Sequence, residues 1–190
     1  MQKEVVVFDT EFTAWAGSME RNWSGPGEFR EIVQIGAVRI DAETLTETAS
    51  FAVLIRPVKN PVLSDYFIDL TRITNERLAA EGGDFATGAA AFAAFVGKRR
   101  MYCYGRDDRV IARNAELLGK PQLWTNTMAV NLREWLVEVG IVLAGVSSGT
   151  LAKHVGSASQ GRAHDALIDA RSLAEAVRYL VKNGAPNPYR

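Results

Sequence analysis

Residues 5–8 read Val-Val-Val-Phe without a polar interruption and run directly into Asp9. A strand made of β-branched and aromatic residues with no alternation is buried on both faces, which requires a sheet with helices on each side. That feature points to an α/β layer fold. Alternate side chains of a strand share a face, so Asp9 and Glu11 stand side by side where this strand ends. Two carboxylates that close repel each other, and each loses hydration unless something compensates it. Water at the strand mouth would do so. A divalent cation would also do so, and oxygen-only ligands suit Mg²⁺ or Mn²⁺ rather than zinc.

The remaining pattern supports the layer reading. Residues 14–30, with three Gly, one Pro and two Trp, form a loop longer than most compact domains carry. EIVQIGAVRI and TASFAVLIRP read as a second and a third strand joined by the turn DAET, the third ending at Pro57. Asn60–Asp69 is irregular, and short NERLAAEG and Ala-rich ATGAAAFAAFVG are helical. MYCY reads as another buried strand, followed by a helix that begins at Asp107 or Asp108. NLREWLVEVG and TLAKHVG are helical, the latter capped by Ser148 or Thr150. The last helix carries Leu167, Ala170, Ala174, Val177 and Val181 at helical spacing, with Gly184 as its stop. The expected product is a mixed sheet flanked by helices, and 190 residues fit a single domain spanning 1–190.

Charge and cysteine content exclude several function classes. Lys plus Arg equals Asp plus Glu at 22 each, so any polyanionic substrate must be recognised locally rather than by bulk charge. Cys103 is the only cysteine, which excludes an internal disulfide and a cysteine-based zinc site. MQKEVVVFD lacks the apolar core of a signal peptide and no run suits a membrane span, so a soluble cytoplasmic protein is expected.

Acidic residues recur at three places beside strand ends or helix starts: Asp9 with Glu11, Asp107-Asp108 after MYCYG, and GRAHDALID with His164, Asp165 and Asp169. A five-residue step turns a helix by about 140° beyond one turn, so His164 and Asp169 cannot share a helix face. If both serve one site, His164 belongs to the turn before the helix. Asp165 then suits the helix cap and Asp169 the site. The reverse assignment stays open, because Asp165 and Asp169 do share a face.

These motifs, in this order and context, resemble the DEDDh 3′–5′ exonucleases, whose fold is ribonuclease H-like. The likeness spans essentially the whole chain. EIVQIGAV, NPVLSDYFIDLTRIT and YGRDD are further similar to the exoribonuclease branch that acts on histone mRNA and small interfering RNA. The resemblance implies that Asp9, Glu11, Asp108 and Asp169 hold two divalent ions, Mg²⁺ or Mn²⁺, and that His164 is the general base. Asp108 is preferred over Asp107 because that branch places its ligand three residues after the glycine, here Gly105. The substrate it implies is a single-stranded RNA or DNA 3′ end, RNA preferred, cut to nucleoside 5′-monophosphates.

Two divalent ions can clamp an anionic phosphodiester, and an imidazole with an ordinary pKa of about 6.5 can take a proton near neutral pH. Substrate contacts are expected at Phe12 and Thr13, which hold the terminal nucleotide in similar enzymes, and at Leu70 and Thr71, which match a base-packing segment. Trp15 and Trp23 could stack bases, worth roughly 1–3 kcal/mol per base, or anchor their own loop. Arg162, two residues before His164, could touch a phosphate. His154 reads as structural. The rivals are a proofreading-type DNA exonuclease and a non-catalytic nucleic-acid-binding module on the same fold.

Overall fold

The computed structural model describes residues 3–126, 128–158 and 161–190. Five strands form one sheet: β1 (Glu4–Phe12), β2 (Ile32–Asp41), β3 (Glu47–Leu54), β4 (Met101–Cys103) and β5 (Val130–Asn131), in the order β3-β2-β1-β4-β5. The first three pair antiparallel, whereas β1–β4 and β4–β5 are parallel, so the sheet is mixed as expected. β1 lies at the centre. Its Val5 and Val7 pack on one face with Val38, Leu132, Leu173 and Val177, and its Val6 and Phe8 pack on the other with Ile35, Phe92 and Ile111. Each such side chain contributes about 1.5–3 kcal/mol relative to exposure. The unbroken apolar run follows from this double coverage.

Helices α1 (Asp65–Thr71), α2 (Asn75–Glu81) and α3 (Phe85–Val96) precede β4, and α4 (Asp107–Leu117) follows it. Then come α5 (Leu132–Glu138), the short α6 (Leu151–His154) and α7 (Ala166–Lys182). Three differences from the sequence reading have local causes. Asn60–Asp69 is partly helical, because the Ser64 side chain caps α1 by accepting from the Phe67 N–H. β3 stops at Leu54, and Ile55 forms an isolated bridge to Gly83 instead of carrying the strand to Pro57. β5 has only two residues, too few to show alternation, at the start of the segment read as helix.

α7 is seated on β1 and β2. A β-carbon on Gly36 would overlap the backbone of Ala166 and Leu167, so this glycine lets the helix start touch the sheet. Gly36 pairs with Asp9 in the β1–β2 register. Gln34 secures the seat: its Oε1 accepts from the Ala166 N–H at 2.9 Å and its Nε2 donates to Asp165 at 3.1 Å. No helix among the described residues is long and apolar enough to cross a membrane.

Candidate functional site

Asp9 and Glu11 continue the parity of Val5 and Val7, so they emerge on the α7 side of the sheet. Both are buried, with Asp169, from the first turn of α7, buried beside them. Asp165 is the α7 N-cap, its carboxylate accepting from the Leu167 and Ile168 N–H groups, and His164 stands just before the helix. Asp165 thus takes the capping place that the spacing suggested, while Asp169 lies on the cavity. His164 adopts a left-handed backbone (φ 70°), and its N–H donates to both oxygens of Asp169, at 3.1 and 3.3 Å. One ligand atom each from Glu11, His164 and Asp169 lies within 4.8 Å of the others.

The α4 N-terminus supplies the fourth carboxylate, and it is Asp107. Asp107 lines a cavity of about 680 Å³ together with Asp9, Glu11, His164 and Asp169. The Thr10 hydroxyl donates to it at 2.6 Å. The spacing from Gly105 pointed to Asp108, whereas in this structure Asp107, and not Asp108, lines the cavity. Asp108 is 0% exposed and turned inward, where it accepts from Arg106 Nε and Nη2 at 3.1 and 2.9 Å and from the Ala129 N–H at 3.3 Å. Its charge is already answered.

The other four carboxylates are not answered in this way. Ion pairs among the described residues lie elsewhere, the nearest in sequence being Arg106 with Asp108. Burial first, then the charges of Asp107, Asp169 and Glu11, holds the Asp9 carboxyl well above its usual range. Glu11 is raised likewise, by burial and then by Asp169 and Asp107. Burial lifts Asp107 to about 6 against the Thr10 hydrogen bond, and Asp169 to about 7 against the His164 N–H. The Ser148 side chain works the other way at both Asp9 and Asp169. Gly149 lets this turn approach, since a β-carbon there would overlap the Asp169 carboxylate. His164 is pushed below its usual value, by burial and then by Arg162, so its imidazole is neutral at pH 7.

A converging set of buried, mutually repelling oxygen donors fits divalent cations, because a positive charge relieves both causes of the shifts. Asp9, Glu11, Asp107 and Asp169 would hold them.

The expected substrate residues divide. Phe12, Trp15 and Leu70 line the cavity, as do Trp23 and Tyr66. Thr13 and Thr71 do not, since their hydroxyls are spent inside the protein. Thr13 donates to the Phe29 carbonyl at 2.5 Å and accepts from the Glu31 N–H; Thr71 donates to the Phe67 carbonyl at 2.9 Å and accepts from the Ile73 N–H. Arg162 is also off the cavity wall, donating to the Asp69 carbonyl at 3.1 Å. Trp23 both anchors and lines: its Nε1–H donates to the Thr13 carbonyl while its ring packs on Phe12, centroids 5.4 Å apart. His154 is exposed. Ser148, read in sequence only as a cap, and Arg30, Tyr104 and Arg133 were not recognised as cavity residues.

A family model described as RNase T exonuclease matches residues 6–177. No curated protein sequence matches the chain. Among solved structures, it is similar to the nuclease domain of 3′hExo, a DEDDh family member bound to rAMP, with 18% identity and a TM-score of 0.79, covering 99% of this chain and 96% of that one. It is similar to cell-death related nuclease 4 at 19% identity and TM-score 0.76, covering 96% and 65%. E. coli exonuclease I in complex with a dT13 oligonucleotide shares 17% identity at TM-score 0.70, covering 94% of this chain and 41% of that one. The fold is the ribonuclease H-like one that the motifs implied.

Proposed function

The chain belongs to the RNase T exonuclease family, and from that premise we propose that it is a metal-dependent 3′–5′ exonuclease of the DEDDh type acting on single-stranded ends. The observation that supports this most directly is the meeting of four buried carboxylates, from β1, α4 and α7, with one neutral histidine on a single cavity. RNA is the preferred polymer in this reading, supported by the near full-length likeness to a nuclease domain bound to rAMP. The reading takes residues 1–190 as one exonuclease domain.

Asp9, Glu11, Asp107 and Asp169 would hold the divalent ions, which when bound would offset the charge of the phosphodiester and make a water a better nucleophile. Asp107 takes the place that the motif alone gave to Asp108. His164 accepts the proton of the attacking water; its depressed basicity keeps the imidazole free to do so at neutral pH. The water oxygen bonds to phosphorus, the bond to the 3′-oxygen breaks, that oxygen takes a proton from solvent to become the new 3′-hydroxyl, and a nucleoside 5′-monophosphate leaves. The His164 N–H bond to Asp169 fixes the base relative to the ion site. Phe12, Trp15 and Leu70 supply apolar surface for the terminal nucleotide.

The test uses 5′-labelled single-stranded RNA and its DNA counterpart with Mn²⁺, Mg²⁺ or EDTA, and runs wild type beside His164→Ala. The expected result is a metal-dependent ladder shortening from the 3′ end, faster on RNA, and slowed about 10²–10⁴-fold in the variant. Faster cutting of DNA would make the enzyme a proofreading-type nuclease. Tight binding without shortening, under any metal, would make it a binding module.

A further inference from the structure

Arginines in this protein are commonly answered by carboxylates: Arg21 by Glu28, Arg99 by Glu4, Arg106 by Asp108 and Arg171 by Glu47. Two that line the cavity are carried differently. The Arg30 guanidinium lies 4.1 Å from the Trp23 ring centroid and 5.9 Å from that of Phe12. The Arg133 guanidinium lies 4.6 Å from the Tyr104 ring centroid, and the Tyr104 hydroxyl is tied to the Val146 carbonyl at 2.8 Å. Neither arginine has a carboxylate partner among the described residues.

Arg30 shows most clearly what is missing. Its Nη2 donates to Asn22 Oδ1 at 2.5 Å, while its Nε is buried without a hydrogen-bond partner. The acids nearest in sequence are committed: Glu28 to Arg21, and Glu31 to the N–H groups of Val58, Lys59 and Asn60. Its charged neighbour is another cation, Arg113, on the exposed side of α4. A guanidinium lying on a ring loses water from one face and is held flat, so its in-plane donors keep the fork geometry that phosphate oxygens fit. A desolvated cation beside a second cation is unfavourable until an anion joins them.

We propose that Arg30 and Arg133 are phosphate clamps on the cavity wall, gripping the backbone of the single strand on the 5′ side of the scissile bond, with Arg113 beside the Arg30 clamp. The proposal rests on the exonuclease reading for the identity of its ligand. It also accounts for how a chain of zero net charge holds a polyanion, since two arginines without a carboxylate partner among the described residues line the cavity.

Anisotropy of 5′-labelled single-stranded oligo-U and oligo-dT, in EDTA and across a NaCl series, tests it. Arg30→Gln and Arg133→Gln each weaken binding roughly tenfold, as loss of a charge-assisted hydrogen bond does. Each also flattens the plot of log affinity against log salt by about 0.7, the value for one phosphate contact on a single strand. The losses are equal on oligo-A, because a phosphate carries no base identity. Arg30→Lys keeps the wild-type salt slope but recovers only part of the affinity, and Arg77→Gln, whose partner is Glu81 on α2, matches wild type. Melting temperatures identify any variant whose loop has come loose; Arg133→Gln, on α5, then carries the test.

Unchanged slopes in both Gln variants, a loss that depends on the base, or a wild type that binds no oligomer would overturn the clamps. The two readings fail separately. Shortening by wild type with unaltered slopes removes the clamps and keeps the exonuclease, whereas altered slopes without any metal-dependent shortening do the reverse.

Discussion

Glu31 and Asp9 are both carboxylates removed from water near the β1–β2 strand pair, and their surroundings differ in kind. Glu31 is 1% exposed and accepts three backbone N–H bonds, from Val58, Lys59 and Asn60, at 2.6–2.9 Å. Asp108 is treated the same way, by a bidentate Arg106 and a backbone N–H. Asp9, Glu11, Asp107 and Asp169 are buried too, but the charges that face them are those of other acids: one another's, with Asp108 and Asp165. Burial of an acid therefore does not mark a site by itself. An acid answered by a cation or by several backbone donors holds a loop or a helix start in place, whereas acids that face mainly like charge have kept room for a cation.

The sharpest way to break that contrast is to neutralise adjacent residues. Asp107→Asn should lower the exonuclease rate by on the order of 10²–10³-fold, as removal of a preorganised electrostatic group does, and leave the fold intact. Asp108→Asn should cost about 1–3 kcal/mol of stability, because Arg106 loses its partner, with a much smaller loss of rate. Steady-state rates and thermal melts on both variants decide; the reverse pattern would return the ligand role to Asp108. Glu31→Gln belongs with Asp108 and should lower the melting temperature by about 2–10 °C, by freeing backbone donors between Val58 and Asn60.

A smaller effect has the opposite sign. Asp107 and Asp169 bind protons more tightly folded, at about 6 and about 7, than at their ordinary 3.8. Without metal, their contribution is most favourable below 3.8 and is lost as pH rises through that window to about 7. Asp169→Asn should therefore melt higher than wild type in EDTA at neutral pH, although it is inactive, and the difference should shrink in acid. Melts across that range check it, and a variant that melts lower at every pH contradicts it. The least effect concerns Arg162, which helps depress His164. Arg162→Gln should move the acidic limb of the rate profile toward higher pH; an unmoved limb would mean that the limb reports another group.

Much of this site was legible in the sequence because its parts carry strong local signals. The unbroken Val5–Phe8 run suits a doubly covered strand, and, if His164 and Asp169 serve one site, their five-residue step puts one before the last helix and the other inside it. The choice between Asp107 and Asp108 was not legible. Both fall at the start of α4, and both lie on its buried face with Ile111. Which one meets the cavity depends on where Arg106, Thr10 and Ala129 stand, and that is set by distant chain. α1 escaped notice because only Phe67 and Thr71 of its seven residues are buried, too few to show a period. Arg30 reads as one more surface cation until Trp23 is folded beneath it.

The central claim, that four carboxylates without a cationic partner form a cation site, is tested most directly by calorimetric titration of Mn²⁺ into the metal-free protein in buffers of different ionisation enthalpy. Near neutral pH the raised carboxyls must give up protons as the ion binds, so the heat should depend on the buffer. That signal should be lost in Asp107→Asn and kept in Asp108→Asn. No Mn²⁺ heat, or a site that survives Asp107→Asn and is lost in Asp108→Asn, would contradict the account.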